Sequence, residues 1–317
     1  MRAITGLELA AELYRRQASE LASVLTLALT NPKKDSGAIP LRIGINGDLM
    51  GGMRAPVELG KRRMDIAYVN PAAIVNMAYK GKGFYKEKMQ LRVLAPFPSW
   101  DRIAFAVSKD LEVRSLFDIA RRKIPLRVST RFSGVDNTTY YTLSTIMSLY
   151  GLSFEKIKRW GGKVQECARP STPQRRNGIR QRTLNAIFDE GISSVGSWLD
   201  EALENGFEVI PLDPQIVKKL EAMGYHGATL PKARYPQLKQ DLLSIDFSGW
   251  SLVTHRWMPN GIAYSACAAI ETRKDWIPVD DDEPLNMAKY CKNTDAGPLD
   301  IPLHPGALKY YKDKGYL

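Results

Sequence analysis

The sequence predicts an α/β protein of two lobes, each a mostly parallel sheet with helices on both faces, with a cleft between them. Three observations carry this expectation. Short apolar runs alternate with helical periodicity along most of the chain, the pattern of parallel strands joined by crossover helices. The chain has 317 residues, enough for two domains that each bury a core. Apolar residues make up 44% and charged residues 25%, ordinary globular values that set disordered and collagen-like classes aside.

Taken in order, residues 1–30 read as an amphipathic helix with Leu7, Ala11, Leu13, Leu21, Leu25 and Leu29 on one stripe. Residues 31–37 (Asn-Pro-Lys-Lys-Asp-Ser-Gly) read as a linker. A strand at 41–45 runs into a glycine-rich turn at 46–52, then a helix at 55–61. A second strand, Met64-Asp65-Ile66-Ala67-Tyr68-Val69, leads to Pro71, which opens a helix reaching Tyr79. Strands follow at 90–96 and 102–107. Ser115 then caps a short helix, and a strand at 125–129 passes through the turn 130–134 into a helix at 137–150 that Gly151 ends. Residues 161–180, rich in Gly, Arg, Pro and Ser, read as an exposed loop. Residues 183–188 read as a helix, 191–198 as a turn and strand, and 208–212 and 252–254 as strands. Helices are expected near 214–223, 285–292 and 304–314. No internal repeat stands out.

Composition narrows the partners only partly. The net charge is +11, from 45 Lys+Arg against 34 Asp+Glu. Positive charge draws anions of any kind, but the basic residues are spread along the chain and form no zinc-finger, basic-region or RNA-binding signature, so no nucleic acid is expected. Cys167, Cys267 and Cys291 lie too far apart for a CxxC site and read as free thiols. Residues 9–29 are interrupted by Glu12, Arg15, Arg16 and Glu20, so they read as an amphipathic helix and not as the apolar core of an export signal.

Ligands of open α/β sheets sit off the carboxyl ends of strands, where helix N-termini point. Three turns have that form. In the first, at 46–52, glycines let backbone N–H groups approach a ligand; an ordinary tight turn would read the same way. The second is Asn70-Pro71-Ala72, a helix start suited to a carboxylate or phosphate, or simply a capped helix. In the third, at 129–138, Ser129, Thr130 and Ser133 supply hydroxyls, Arg131 a bidentate donor, and Asn137-Thr138 a helix start. Catalytic signals are weak: His226, His255 and His304 are the only histidines, none with ligand spacing, and no metal site or cofactor is expected. Asp281-Asp282-Glu283 reads as a solvated acidic turn.

From about residue 40 to the end, the chain resembles the TAXI type of TRAP-transporter solute-binding subunits, which have the type II periplasmic binding-protein fold. The resemblance is carried by residues 44–52, by Met64–Ala72, by the 129–138 turn with Tyr150-Gly151-Leu152, and by Phe188-Asp189-Glu190-Gly191. The most specific stretch is the tail, Leu303-His304-Pro305-Gly306-Ala307-Leu308-Lys309-Tyr310-Tyr311-Lys312-Asp313-Lys314-Gly315. After the N-terminal helix and linker at 1–37, it implies lobe I at 38–107 plus 255–317 and lobe II at 108–254. It implies a small organic anion, typically a carboxylate, held between the lobes by Asn46, Gly47, Met50, Gly51, Asn70, Ala72, Ser129, Thr130, Arg131, Phe132, Asn137, Thr138, Ser194 and Trp198. It also implies a periplasmic location and a membrane permease as partner. The chain departs from the family where Asn70-Pro71-Ala72 replaces the usual Gln-Ser-Asp, removing a hydroxyl and a carboxylate. The alternative is a cytoplasmic enzyme on the same fold, resembling decarboxylases of the 4,5-dihydroxyphthalate type, with His255 or His304 acting at the cleft.

Overall fold

The computed structural model describes residues 7–11, 41–44, 52–134, 136–193, 196–277 and 285–317. The first elements in chain order are β1 (Leu7–Ala11), β2 (Leu41–Gly44), α1 (Ala55–Gly60), β3 (Ile66–Val69), α2 (Ala72–Lys80) and β4 (Leu91–Phe97). Next come β5 (Ala104–Ser108), α3 (Leu116–Arg122), β6 (Arg127–Arg131), α4 (Thr138–Leu149), α5 (Phe154–Arg159), β7 (Lys163–Cys167), α6 (Pro173–Arg180), β8 (Ala186–Asp189), α7 (Trp198–Glu204), β9 (Phe207–Val209), α8 (Pro214–Met223), β10 (Gly227–Leu230) and β11 (Leu242–Ile245). The chain finishes with β12 (Trp250–His255), α9 (Asn260–Thr272) and α10 (Pro305–Asp313). The α/β class and the mostly parallel sheets agree with the sequence.

The chain forms two units, Met1–Trp100 with Ser248–Leu317, and Asp101–Phe247. The first holds a five-stranded sheet in the order β2-β1-β3-β12-β4, and the second one in the order β7-β6-β8-β5-β9. In the first unit β1 runs parallel to β2 and β3, while β12 is antiparallel to β3 and β4. In the second, β6 runs parallel to β7 and β8, while β5 is antiparallel to β8 and β9. Each sheet therefore has four strands running one way and a single reversed strand next to the edge, and the two orders are topologically the same. In both, the reversed strand is the one entered directly from the other unit.

The unit boundaries differ from the sequence reading near 107 and 254. The strand Ala104–Ser108 pairs with β8 and β9 inside the second unit, and Trp250–His255 pairs with β3 and β4 inside the first. An apolar strand joins whichever sheet offers it partners, and composition does not record the partner. Other corrections have the same root. Leu7–Ala11, read as part of a helix, is a strand between β2 and β3; the rest of 1–37 lies outside the described residues. The supposed loop 161–180 contains edge strand β7 and helix α6, both too polar to show a periodicity. The supposed helix at 183–188 gives way to β8, and 285–292 is turns.

Strands β3, β8 and β12 are buried along their whole length, as expected when both faces of a sheet are covered. In the first unit, Tyr68 stacks on Trp250 with ring centroids 5.0 Å apart and meets Phe97 edge-on at 5.4 Å. Ala263, Ala266, Cys267 and Ile270 of α9 and Ala307, Tyr310 and Tyr311 of α10 close this core. Cys167, Cys267 and Cys291 are all buried free thiols. No helix among the described residues is long and apolar enough to cross a membrane.

The second unit buries charge. Arg175 of α6 and Asp189 at the end of β8 form an ion pair at 2.6 Å with neither side chain exposed. Arg175 also donates to Ser129 Oγ of β6 at 2.9 Å and to the Pro170 carbonyl at 2.6 Å, and its guanidinium lies 5.8 Å from the Trp198 ring centroid. Removing one member of a buried pair strands the other charge in the core. Arg175→Met is therefore expected to destabilise the fold by about 3–5 kcal/mol, measured by urea denaturation; a loss under about 1 kcal/mol would show that Asp189 is not held in the core by this pair.

Candidate functional site

In the second unit β6 lies between β7 and β8, and the chain leaves β6 toward one side and returns on the other. The carboxyl ends of β6 and β8 therefore form the switch point where α/β sheets bind ligands. Arg131 is the last residue of β6 and Glu190 the first after β8. Arg131 Nη1 lies 3.4 Å from Glu190 Oε1, and both side chains are largely buried, at 4% and 13% exposure. One cation and one carboxylate thus face each other where a ligand is expected.

The turn after β8 is held from several directions. Asp101 accepts hydrogen bonds from the backbone N–H groups of Gly191 (2.8 Å) and Ile192 (3.2 Å). Trp198 Nε1 donates to the Glu190 carbonyl at 2.8 Å, Tyr235 Oη to the Ile192 carbonyl and Arg234 to the Ser193 carbonyl. Gly191 has φ +73°, and a Cβ there would come within 2.2 Å of Pro170 Cγ. Asp101 itself opens the unit. Its neighbour Arg102 is paired with Asp246 at 2.6 Å, and Phe247 N–H donates to the Asp101 carbonyl at 3.1 Å. Burial, with the nearby Glu190 carboxylate, pushes the Asp101 carboxyl well above its usual range. Burial also raises Glu190, with Arg131 opposing.

The turn after β6 is less enclosed. Phe132 is 50% exposed. Ser133 donates from its N–H and its hydroxyl to Glu166, both at 3.0 Å. Asn137 Oδ1 accepts from Tyr140 N–H at 2.9 Å, capping α4, and Thr138 is buried in the first turn. Ser129 and Thr130 are fully buried, and the Ser129 hydroxyl is committed to Arg175 and to Cys167 Sγ at 3.4 Å. Burial raises the Cys167 thiol, but hydrogen bonds with Ser129, Thr172 and Gln165 and the charge of Arg175 outweigh it and bring the thiol below its ordinary value. Trp198 is also fully buried; it holds the Glu190 turn in place from within the core.

In the first unit the corresponding end of β3 is Asn70-Pro71-Ala72. Its donors are largely spent inside the unit: Ala72 N–H donates to the Ser248 carbonyl at 3.1 Å and Asn70 Nδ2 to the Gly249 carbonyl at 3.0 Å. Gly249 has φ +83°, and a Cβ there would sit 2.9 Å from Pro298 and 3.3 Å from the Ala72 Cβ. Asn46, Gly47, Met50, Gly51 and Ser194, like Asp281-Asp282-Glu283, lie outside the described residues.

His255 and His304 lie at the other end of the first sheet. β12 is antiparallel to β3, so His255 at its end lies beside Asp65, which precedes β3, with Nε2 3.5 Å from Oδ1. His304 N–H donates to the Val93 carbonyl early in β4. Both rings are buried, and His304 Nδ1 accepts from Gly306 N–H at 3.1 Å, capping α10. Burial lowers the His304 pKa to about 4. This is the edge opposite Asn70–Ala72, so neither histidine is placed to act on a ligand there. Among the described residues no group of three His, Cys, Asp or Glu side chains is arranged to hold a metal ion.

Sequence reasoning missed Asp101, Glu166, Arg175 and Glu190. The Asp-Glu-Gly run at 189–191 was a usable signal for Glu190. Nothing local marks Arg175, whose partners lie on other elements.

A family model covers residues 50–315, and the chain belongs to the NMT1-like family. Among solved structures it is similar to XAC2383 from Xanthomonas citri bound to chloride ion, at 10% identity over 98% of this chain and 95% of that one, with a TM-score of 0.46. It is similar to PhnD1 from Prochlorococcus marinus in complex with methylphosphonate, at 12% identity over 99% and 100%, with a TM-score of 0.41. It is also similar to MatC from Rhodopseudomonas palustris with bound malate, at 10% identity over 85% and 84%, with a TM-score of 0.37. At these values the likenesses assign neither a ligand nor a residue's role to this chain.

Two outcomes test this geometry. Gly191→Ala combines left-handed backbone with a clash on Pro170 and is expected to cost about 1–3 kcal/mol in urea denaturation; an unchanged midpoint would show that the turn relaxes freely. His304 stays neutral in the fold well below its unfolded value of 6.5, so the unfolded state binds the extra proton. The stability linked to it is complete above about pH 6.5 and is lost as pH falls toward about 4. His304→Asn, which keeps a capping acceptor but cannot take that proton, should flatten this acid arm, and an unaltered arm would place the titration elsewhere.

Proposed function

We propose that this protein is a solute-binding protein that captures a small organic anion of carboxylate type, in the manner of TAXI-type TRAP-transporter receptors. The observation that carries the proposal is Arg131 at the carboxyl end of β6, just before the helix start at Asn137-Thr138. A guanidinium offers a planar fork matched to a carboxylate, and the N-terminus of a twelve-residue helix adds favourable potential for an anion. Family membership, the shared strand order of the two units and the net charge of +11 support the reading. On this account Arg131 is the principal anchor, with the Phe132 ring and the start of α4 flanking the ligand. Trp198 and Ser129 support the site from the core. The undescribed turn at 46–51 and Ser194 remain proposed contacts. In the cell the protein would work as a periplasmic receptor handing its ligand to a membrane permease.

The test is a thermal-shift panel of aliphatic and aromatic carboxylates, since a ligand that binds only the folded state raises the melting temperature by mass action. At least one carboxylate should stabilise the protein and be recovered unchanged after incubation. Arg131→Ala should weaken that ligand by about 1.5–3 kcal/mol, the value of a charged hydrogen bond. Unchanged affinity would remove Arg131 from the site, and consumption of the ligand would make the protein an enzyme.

A further inference from the structure

Arg131 already has a counter-ion. Glu190 Oε1 lies 3.4 Å from its Nη1, so an anion reaching Arg131 meets a carboxylate in its place. Glu190 can withdraw only if its charge is dealt with, because an ionised carboxylate stranded in a largely buried site is costly.

The surrounding charges identify how this is done. Asp189 is committed to Arg175 at 2.6 Å. Arg102 is committed to Asp246 at 2.6 Å. Arg234 and Tyr235 are bonded to the carbonyls of the turn, and burial raises the Tyr235 phenol so that it stays neutral. Asp101 is therefore the group that adjusts with Glu190: it bonds the two residues after Glu190 through their N–H groups, and both carboxyls hold their protons more tightly than free ones do. Asp101, Asp189 and Glu190 gather here against Arg131 and Arg175. A ligand carboxylate adds one more negative charge to this cluster, and one proton taken up by the Asp101–Glu190 pair offsets it.

We propose that Glu190 determines specificity at the Arg131 turn: an anionic ligand replaces it as the partner of Arg131, and the Asp101–Glu190 pair takes up one proton from solvent as the ligand binds. This rests on the reading of the turn as a carboxylate site. Affinity rises as pH falls through the ligand-bound value of the pair and levels off below its ligand-free value, with a slope of about tenfold per pH unit between them. Singly charged anions are favoured, because each additional charge calls for another proton.

The test is isothermal titration calorimetry with pyruvate, whose carboxylate stays ionised throughout, at about pH 5.5 and about pH 8 in paired buffers of different ionisation heat. The unaltered protein should bind pyruvate about tenfold or more tightly at the lower pH, with the buffer dependence reporting proton uptake. This arm needs no variant. Glu190→Gln should bind pyruvate about tenfold or more tightly than the unaltered protein at the higher pH, with little remaining pH dependence. Binding by Glu190→Gln alone also supports the proposal, since the competing counter-ion has been removed. Pyruvate binding that is independent of pH and of buffer, or equal in the two proteins at the higher pH, overturns the proposal and leaves the carboxylate reading standing. No pyruvate binding by either protein, at either pH, overturns this proposal, and it overturns the carboxylate reading as well only if no carboxylate of the thermal-shift panel stabilises the protein.

Discussion

The ion pair between Arg175 and Asp189 organises the second unit. Neither side chain reaches solvent, and an unsupported charge pair in that setting would be destabilising. The support comes from the Ser129 hydroxyl and the Pro170 carbonyl, which accept from Arg175, and from the Trp198 ring beside its guanidinium. These contacts join α6 to the middle strand β6 and to the end of β8. Arg131 lies two residues beyond Ser129 and Glu190 directly follows Asp189, so the two charged groups at the switch point inherit their positions from this buried pair. Asp101 adds a second constraint by capping the N–H groups of Gly191 and Ile192.

The two sheets share a strand order, yet their carboxyl edges are equipped differently. In the first unit, the Asn70–Ala72 turn is bonded to Ser248 and Gly249 at the start of the reversed strand, and its donors serve the fold. Its histidines lie on the opposite edge, buried, with His304 acting as a helix cap. In the second unit, a cation and a carboxylate stand at the strand ends, and the chemistry available to an anion is concentrated there.

The sequence made local chemistry legible and left pairing hidden. Helix α4 with its Asn137 cap, the Ser115 cap of α3 and the terminal helix α10 could be read because capping residues and apolar periodicity are encoded within a few positions. The strand at 104–108 was equally visible, but the sheet it joins depends on partners 79 to 103 residues away. Edge strand β7 and helix α6 are polar enough to pass for a loop, so Arg175 was read as exposed surface. Arg131 was accessible to reasoning because it closes a strand and precedes a helix start. Its counter-ion Glu190 was not, since the contact exists only once β6 and β8 lie side by side.

Hydrogen–deuterium exchange, with and without a stabilising carboxylate, tests most directly where the ligand binds. A ligand anchored by Arg131 and exchanging places with Glu190 should slow exchange in residues 131–138 and 190–193, and leave the His255 and His304 edge of the first sheet unchanged. Protection centred on that histidine edge, or strong stabilisation with no change in either turn, would contradict a carboxylate site at the ends of β6 and β8.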